Sequence, residues 1–205
     1  MILRFTAAMV LLAGLGAFSV YLHLLGKLPT ASVEARHLRA MKDRTTSPAS
    51  VRATTYEAMS ALPRNLSVGE YSGIERTAVS LEGHVQRMVR AADDDVHIEL
   101  VPTRRMPGEP NLRYVTAEIT PQWRRGSERW RWPRLVELFR PNFGGTTPWE
   151  GGTQRVRLTG WLLYDYEYEG APAHGRARLA SWELHPVTRI ERWDKERGAF
   201  VEYPR

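Results

Sequence analysis

Residues 78–103 read AVSLEGHVQRMVRAADDDVHIELVPT, and this stretch decides the fold. Val79, Leu81, Gly83 and Val85 alternate with Ser80, Glu82, His84 and Gln86. Asp93-Asp94-Asp95 interrupts the run, after which Val96, Ile98 and Leu100 alternate with His97, Glu99 and Val101. Alternation with a period of two marks strands with one buried face. The stretch therefore predicts two strands, 79–88 and 96–101, joined by an acidic turn.

Three more runs of the same kind follow. Val115, Ala117 and Ile119 alternate with Tyr114, Thr116 and Glu118, predicting a third strand over 114–120. Val156, Leu158, Gly160 and Leu162 alternate with Arg155, Arg157, Thr159 and Trp161, predicting a fourth over 155–164. A fifth runs over 178–191, and residues 197–203 add a hairpin strand. Between the third and fourth lies a short helix over 133–140, with Pro133 in its first turn and Pro141 stopping it; Leu135, Leu138 and Phe139 give it one apolar side. Three strands, a helix and two strands is the order of the OB-fold, a five-stranded Greek-key barrel. Gly83 and Gly160 fall inside strands, where a tightly curved wall needs bends. The fold class is thus all-β with short helices, an OB-fold-like barrel over residues 68–205; a split barrel and an α+β meander fit the pattern less well. Loops are expected at 106–111 and at 142–152, the latter rich in glycine.

The chain of 205 residues has room for one such domain and its attachments. Residues 5–26, FTAAMVLLAGLGAFSVYLHLLG, carry no formal charge with His23 neutral. As a helix they span roughly 33 Å, enough to cross a bilayer. A cleaved signal peptide is the rival reading, with Val33-Glu34-Ala35 as a small-x-small site, but signal cores run about 7–15 residues, so the length favours an uncleaved anchor. Residues 27–67 form a basic connector, in which Ser47-Pro48 reads as a helix start and Val51 to Leu62 as a short helix. Lys27, Arg36, Arg39, Lys42 and Arg44 follow the span, which by the positive-inside rule puts the barrel in the cytoplasm; the N-terminal, export-like position of the span points outward.

The net charge of +6 divides unevenly. Residues 1–67 hold 8 Lys+Arg and 3 Asp+Glu, or +5; residues 68–205 hold 21 and 20, or +1. The barrel is nearly neutral, so the high isoelectric point does not argue for a nucleic-acid-binding domain. Without cysteine there is no disulfide, thiolate metal site or cysteine nucleophile. No HExxH, GxSxG, phosphate-binding loop or dinucleotide fingerprint is present.

Candidate site residues follow from the alternation. If Val96, Ile98 and Leu100 face inward, His97 and Glu99 face outward; likewise Glu118 on the third strand, and Glu183 and His185 on the fifth. The OB order places the third strand between the second and the fifth. Strands lie about 4.8 Å apart, so His97 and His185 would stand about 10 Å apart at the backbone with Glu118 between them. That row is within reach of a shared divalent metal or one polar ligand, and it is equally what the solvated face of a sheet offers. A second candidate is the Trp/Arg segment 123–134, with Trp123, Arg124, Arg125, Trp130 and Arg131. It combines cations with stacking rings and suits an anionic ligand, nucleic acid, a lipid surface, a partner protein or plain packing. The acidic-aromatic stretch 164–170 is a third, able to chelate a hard cation together with Asp93–Asp95 or to serve as a solvated turn.

Four short motifs in order resemble a group of uncharacterised bacterial exported or membrane-anchored proteins. They are Asp93-Asp94-Asp95-Val96-His97-Ile98-Glu99-Leu100, then Ala117-Glu118-Ile119-Thr120-Pro121, then Thr159-Gly160-Trp161-Leu162 running on to Asp165, and Trp182-Glu183-Leu184-His185-Pro186-Val187. The resemblance covers residues 81–191. It implies an OB-like barrel behind an export signal, with no established activity, and hence a single-pass protein of the bacterial inner membrane with an extracytoplasmic barrel. It brings Asp95, His97, Glu118, Asp165, Glu183 and His185 together as one set, with Asp95, His97, Glu118, Asp165 and His185 as candidate ligands of a divalent metal. Many members carry a histidine shortly after the aspartate that matches Asp165; Glu167, Tyr168 and Glu169 stand there in this chain, so a metal site built on that histidine loses a donor. Two functions are open at this point: a binding or interaction module for a polar or anionic ligand or a protein partner, and a divalent-metal-dependent hydrolase of a phosphodiester or similar ester.

Overall fold

Strand pairing answers the central expectation. The computed structural model describes residues 17–20, 31–103, 113–140, 153–168 and 178–205. Its contacts divide the chain into residues 1–41 and 42–205. In the first unit, residues 17–20 are helical, and α1 (Val33–Lys42) starts where Ser32 accepts a hydrogen bond from the Ala35 N–H at 3.0 Å. Among the described residues no helix is long and apolar enough to cross a membrane; of the expected span 5–26, all but residues 17–20 lies outside the described residues.

Among the described residues the second unit holds seven strands: β1 (Arg52–Ala53), β2 (Ala78–Arg90), β3 (Val96–Val101), β4 (Val115–Ile119), β5 (Arg155–Tyr164), β6 (Trp182–Asp194) and β7 (Ala199–Glu202). The order β2-β3-β4-β6-β5 closes on itself through an antiparallel β5–β2 pairing that runs from Ala78↔Trp161 to His84↔Arg155. The barrel is closed and five-stranded, with the OB order and its one parallel pair, β4–β6. β1 adds in parallel to β2, and β7 extends β6 as a hairpin.

Inward residues follow the alternation until a bulge shifts it. Val79, Leu81 and Val85 on β2 are buried in the core, and so is Met88, three residues after Val85. The β2–β3 register slips between Val85 and Arg87, so one extra residue restores Met88 to the inner face. A second slip at Gly160 lets Leu184 and Val187 both reach the core from β6. Gly160 sits where a Cβ would approach the Pro186 carbonyl oxygen to 2.8 Å, and Gly83 where one would collide with the Tyr56 hydroxyl and the Val101 carbonyl. Both are bends made possible by the missing side chain.

The connector differs from expectation. Val51 to Leu62 is not one helix begun by Ser47-Pro48. Arg52 and Ala53 pair with Val79 and Ser80, and the Thr54 N–H donates to the Ser80 carbonyl at 2.9 Å. Only then does α2 (Tyr56–Ser60) start, capped by Thr55. An open sheet edge offers backbone partners that outweigh local helix preference in so short a segment. α3 (Val68–Ile74) follows, with a capping box between Ser67 and Glu70, and leads into β2 at Ala78, beside the expected strand start at 79. α4 (Pro121–Arg124) and α5 (Trp132–Phe139) lie between β4 and β5, and α5 turns buried Leu135 and Phe139 inward. Tyr71 on α3 stacks on Tyr164 at 4.0 Å between ring centres, with the Trp182 ring edge-on to both. The loops expected at 106–111 and 142–152 lie outside the described residues.

Candidate functional site

Register puts the polar row together. His97 on β3 pairs with Glu118 on β4, and the parallel Ala117↔Leu184 pairing sets Glu118 beside Glu183 and His185 on β6. Val96, Ile98, Leu100, Val115, Ala117, Ile119, Trp182 and Leu184 are all in the core, so their polar neighbours lie on the other side of the wall.

There they form one connected network. His97 Nδ1 lies 2.8 Å from Glu118 Oε1. The other oxygen, Oε2, lies 3.1 Å from His185 Nδ1. The same Nδ1 is 2.8 Å from Glu183 Oε1. Arg178 holds the far side of Glu183 at 2.9 Å and Asp165 at 3.2 Å. On the opposite edge of the imidazole, His185 Nε2 faces Asp95 Oδ2 at 3.5 Å and makes no hydrogen bond. Among the described residues, Asp95, Glu118 and His185 each bring one ligand atom within 4.8 Å of the others.

Asp95 reaches the site through the β2–β3 turn. Asp94 adopts a left-handed conformation (φ 70°), and the Ala91 N–H donates to the Asp95 carbonyl at 2.9 Å. Asp93 accepts from the Asp95 N–H at 3.2 Å, an Asx turn that fixes the side chain's direction. Arg90 and Arg124 hold Asp94 away from the cluster, Arg124 at 3.0 Å.

The row is on the outer wall, yet it is not solvated. His185 is 0% exposed, Glu183 1% and Asp95 5%, while His97 and Glu118 keep partial exposure at the rim. The segment from Lys42 to Thr46 runs along this side. Gln122 donates to Asp43 at 2.9 Å, the Trp123 indole to the Arg44 carbonyl at 2.9 Å, and the Trp161 indole to the Thr46 carbonyl at 3.0 Å. Lys42 acts electrostatically on Asp95, Glu118, Asp165 and His185 alike.

Burial and charge split the acids. Burial pushes the Asp95 carboxyl up to about 7, with Glu118 and Asp93 adding to the rise and His185 opposing it. Burial and Glu183 push Asp165 up to about 6, against Arg178 and Lys42. Burial also pushes on Glu118, but His185, the His97 hydrogen bond and Lys42 outweigh it and hold Glu118 well below the usual carboxylate range. His185 is raised: burial disfavours its charge, and Glu118 and Glu183 more than compensate. Among the described residues, four carboxyl groups thus face two permanent cations, Arg178 and Lys42, and two imidazoles.

The other expected residues distribute differently. Glu99 is buried and engaged by Arg87 at 3.1 Å, so it stands outside the cluster. Asp165 and His97 are outside the trio with metal-ligand spacing: Asp165 is taken by Arg178 and His97 by Glu118. Of the acids expected to chelate a cation with Asp93–Asp95, Asp165 is held by Arg178 at 3.2 Å, and Glu169 lies outside the described residues. Trp123 and Trp130 are buried in the core and offer no stacking face. Arg124 pairs with Asp94, Arg131 pairs with Glu128 at 2.6 Å, and Arg125 is exposed. Apolar rings next to the mouth of a barrel are drawn into it, and the Arg stems cover what is left. Sequence reasoning missed Arg178 and Lys42. Lys42 lies in the connector, and Arg178, the expected start of the fifth strand, instead makes an isolated bridge to Tyr114, with β6 beginning at Trp182.

Comparison with known proteins adds little to this geometry. No family model matches the chain, and no curated protein does. Among solved structures it is similar to asparaginyl-tRNA synthetase of Entamoeba histolytica in complex with asparaginyl-adenylate, at 14% identity and a TM-score of 0.39 over 71% of this chain and 24% of that one. A second structure of the same synthetase gives 18% identity and a TM-score of 0.37, over 68% and 23%. The chain thus spans about a quarter of the length of the structures it matches.

Proposed function

We propose that the chain is a binding module: an OB-like barrel that takes up a polar ligand bearing a positive group on the outer wall of β3, β4 and β6. Residues 5–26 tether it to the bacterial inner membrane with the barrel on the extracytoplasmic side. The observation that carries the binding reading is the convergence of Asp95, Glu118, Glu183 and His185 from two strands and a turn onto one buried point. Among the described residues carboxyl groups outnumber permanent cations there, and as pH rises through about 7, where Asp95 and Asp165 ionise, the excess disfavours the anionic ligand that the Trp/Arg segment suggests and favours a cationic one. The tether rests on the uncharged 22-residue run and on the resemblance to exported proteins.

Ester or phosphodiester hydrolysis on the same residues is the second reading. Turnover needs water and substrate to reach the reacting atoms, and His185 and Asp95 are nearly closed to solvent. That burial supports retention of a ligand over its chemical conversion.

The test uses the full chain in detergent, titrated with a panel of amines, guanidinium compounds and divalent ions while unfolding is followed. At least one member is expected to raise the melting temperature saturably, and His97→Ala to weaken that ligand. A panel with no stabilising member, or one whose binders are indifferent to His97→Ala, overturns the reading. A reporter fused after Arg205 reads the side of the membrane; cytoplasmic activity of the fusion overturns the orientation.

A further inference from the structure

We propose that the ligand is a divalent transition-metal ion held by Asp95, Glu118 and His185, with Glu183, Arg178 and His97 as the shell that orients these donors. The inference rests on the binding-module reading and names its ligand.

Acidic residues close together are common and bind nothing, so the argument starts from the imidazole. His185 is fully buried, and its Nε2 has no hydrogen-bond partner among the described residues. A buried polar nitrogen left without a partner is costly, on the order of 1–3 kcal/mol, and uncommon. The remaining nitrogen is accounted for. Nδ1 is bound to Glu183 at 2.8 Å, and Glu183 is bound to Arg178 at 2.9 Å. In the neutral ring a carboxylate on Nδ1 leaves Nε2 as the metal-binding nitrogen, the arrangement found around metal-bound histidines; a metal ion takes that form by displacing the Nε2 proton that the surrounding carboxylates otherwise favour. Here Nε2 faces the Asp95 carboxylate oxygen at 3.5 Å without a hydrogen bond, a separation suited to an ion shared by the two atoms.

The third donor is prepared in the same way. His97 occupies Glu118 Oε1, and Oε2 reaches the His185 ring 3.1 Å from Nδ1, from where it would turn to an ion bound beside the ring. The three ligand atoms lie within 4.8 Å of one another. Donors on one tetrahedral ion at about 2.1 Å lie about 3.4 Å apart, so the widest pair would close by somewhat more than about 1 Å on binding, within the reach of side-chain rotation. One imidazole and two carboxylates, without thiolate, suit zinc or manganese and exclude a soft monovalent ion. The ion would also supply the positive charge that four carboxylates lack. Lys42 stands in that field in the apo protein and competes with it.

The experiment is titration of the full chain in detergent with zinc or manganese chloride after chelator treatment, read by calorimetry. Cobalt is used in parallel, since its visible spectrum reports an imidazole ligand. One ion per chain is expected. Asp95→Asn and Glu118→Gln should each weaken it at least tenfold. Glu183→Gln should weaken it by about tenfold without changing stoichiometry. Lys42→Met, which removes a competing cation and no donor, should tighten it. Each variant is checked for a native melting transition first. If the folded wild type takes up no ion, or if Asp95→Asn and Glu118→Gln bind as tightly as wild type, the metal inference is overturned. An amine or guanidinium ligand that still binds with chelator present, and is lost in His97→Ala, would leave the binding module standing without its metal.

Discussion

Nδ1 of His185 lies 2.8 Å from the carboxylate of Glu183, two residues earlier on the same strand. Residues two apart on a strand project from one face, so β6 by itself carries both the imidazole and the acid that orients it. Strand register brings His97 and Glu118 to this pair, and the β2–β3 turn brings Asp95.

Arg178 is the residue whose loss should cost most. It is bound to Asp165 and Glu183, and all three are nearly buried. Arg178→Met leaves two carboxylates in low dielectric without their guanidinium. We expect a loss of about 3–5 kcal/mol in urea unfolding. A loss below 1 kcal/mol would show that the guanidinium is not what keeps these acids folded in place.

Asp165 should make stability fall as pH rises. Its carboxyl titrates at about 6 in the folded protein against 3.8 for the unreactive reference. A carboxyl raised on folding binds more protons folded than unfolded between those values. Its stabilising share is therefore present below about pH 4 and is lost as pH rises through 6. Asp165→Asn removes the effect, so the stability difference between wild type and variant should change across pH 4–6, on the order of 3 kcal/mol. Parallel pH profiles of the two proteins would contradict it.

Gly83→Ala should be severely destabilising. The new methyl would meet the Tyr56 hydroxyl and the Val101 backbone carbonyl, and the latter belongs to the neighbouring strand and cannot yield without opening the barrel. A cost above about 2 kcal/mol is expected. The same variant paired with Tyr56→Phe should recover only part of the loss, because the backbone collision remains.

Trp130→Phe should be mild. Trp130 is 1% exposed, and its indole nitrogen has no hydrogen-bond partner among the described residues. Phenylalanine removes that buried, unsatisfied N–H but leaves a smaller ring, and the two effects oppose each other. A change under about 1.5 kcal/mol is expected. Single-stranded oligonucleotide should not quench the fluorescence of Trp123 or Trp130, since both rings are inside.

Residues such as Val96, Ile98, Val115 and Ile119 announce their faces by simple alternation, and from them the outward placement of His97 and Glu118 follows. α3 was equally open to reading, since Ser67-Val-Gly-Glu70 carries a capping-box spacing. β1 was not: two residues have no periodicity, and only the edge of β2 makes Arg52–Ala53 a strand. Bulges were hidden for a similar reason. Alternation counts every residue once, whereas the slips at Val85/Arg87 and Gly160 come from how strands fit a curved wall.

What the amino-acid order determined by itself was the number of main strands, the place of α5 between them and which side chains face away from the core, because hydrophobic burial on a pleated chain has a local period. Only tertiary structure decided that the outward row would be buried, that Arg178 and Lys42 would join it, and that Trp123 and Trp130 would leave the surface. Those outcomes depend on which irregular segments lie over the barrel, and contacts between segments far apart in the chain leave no periodic trace.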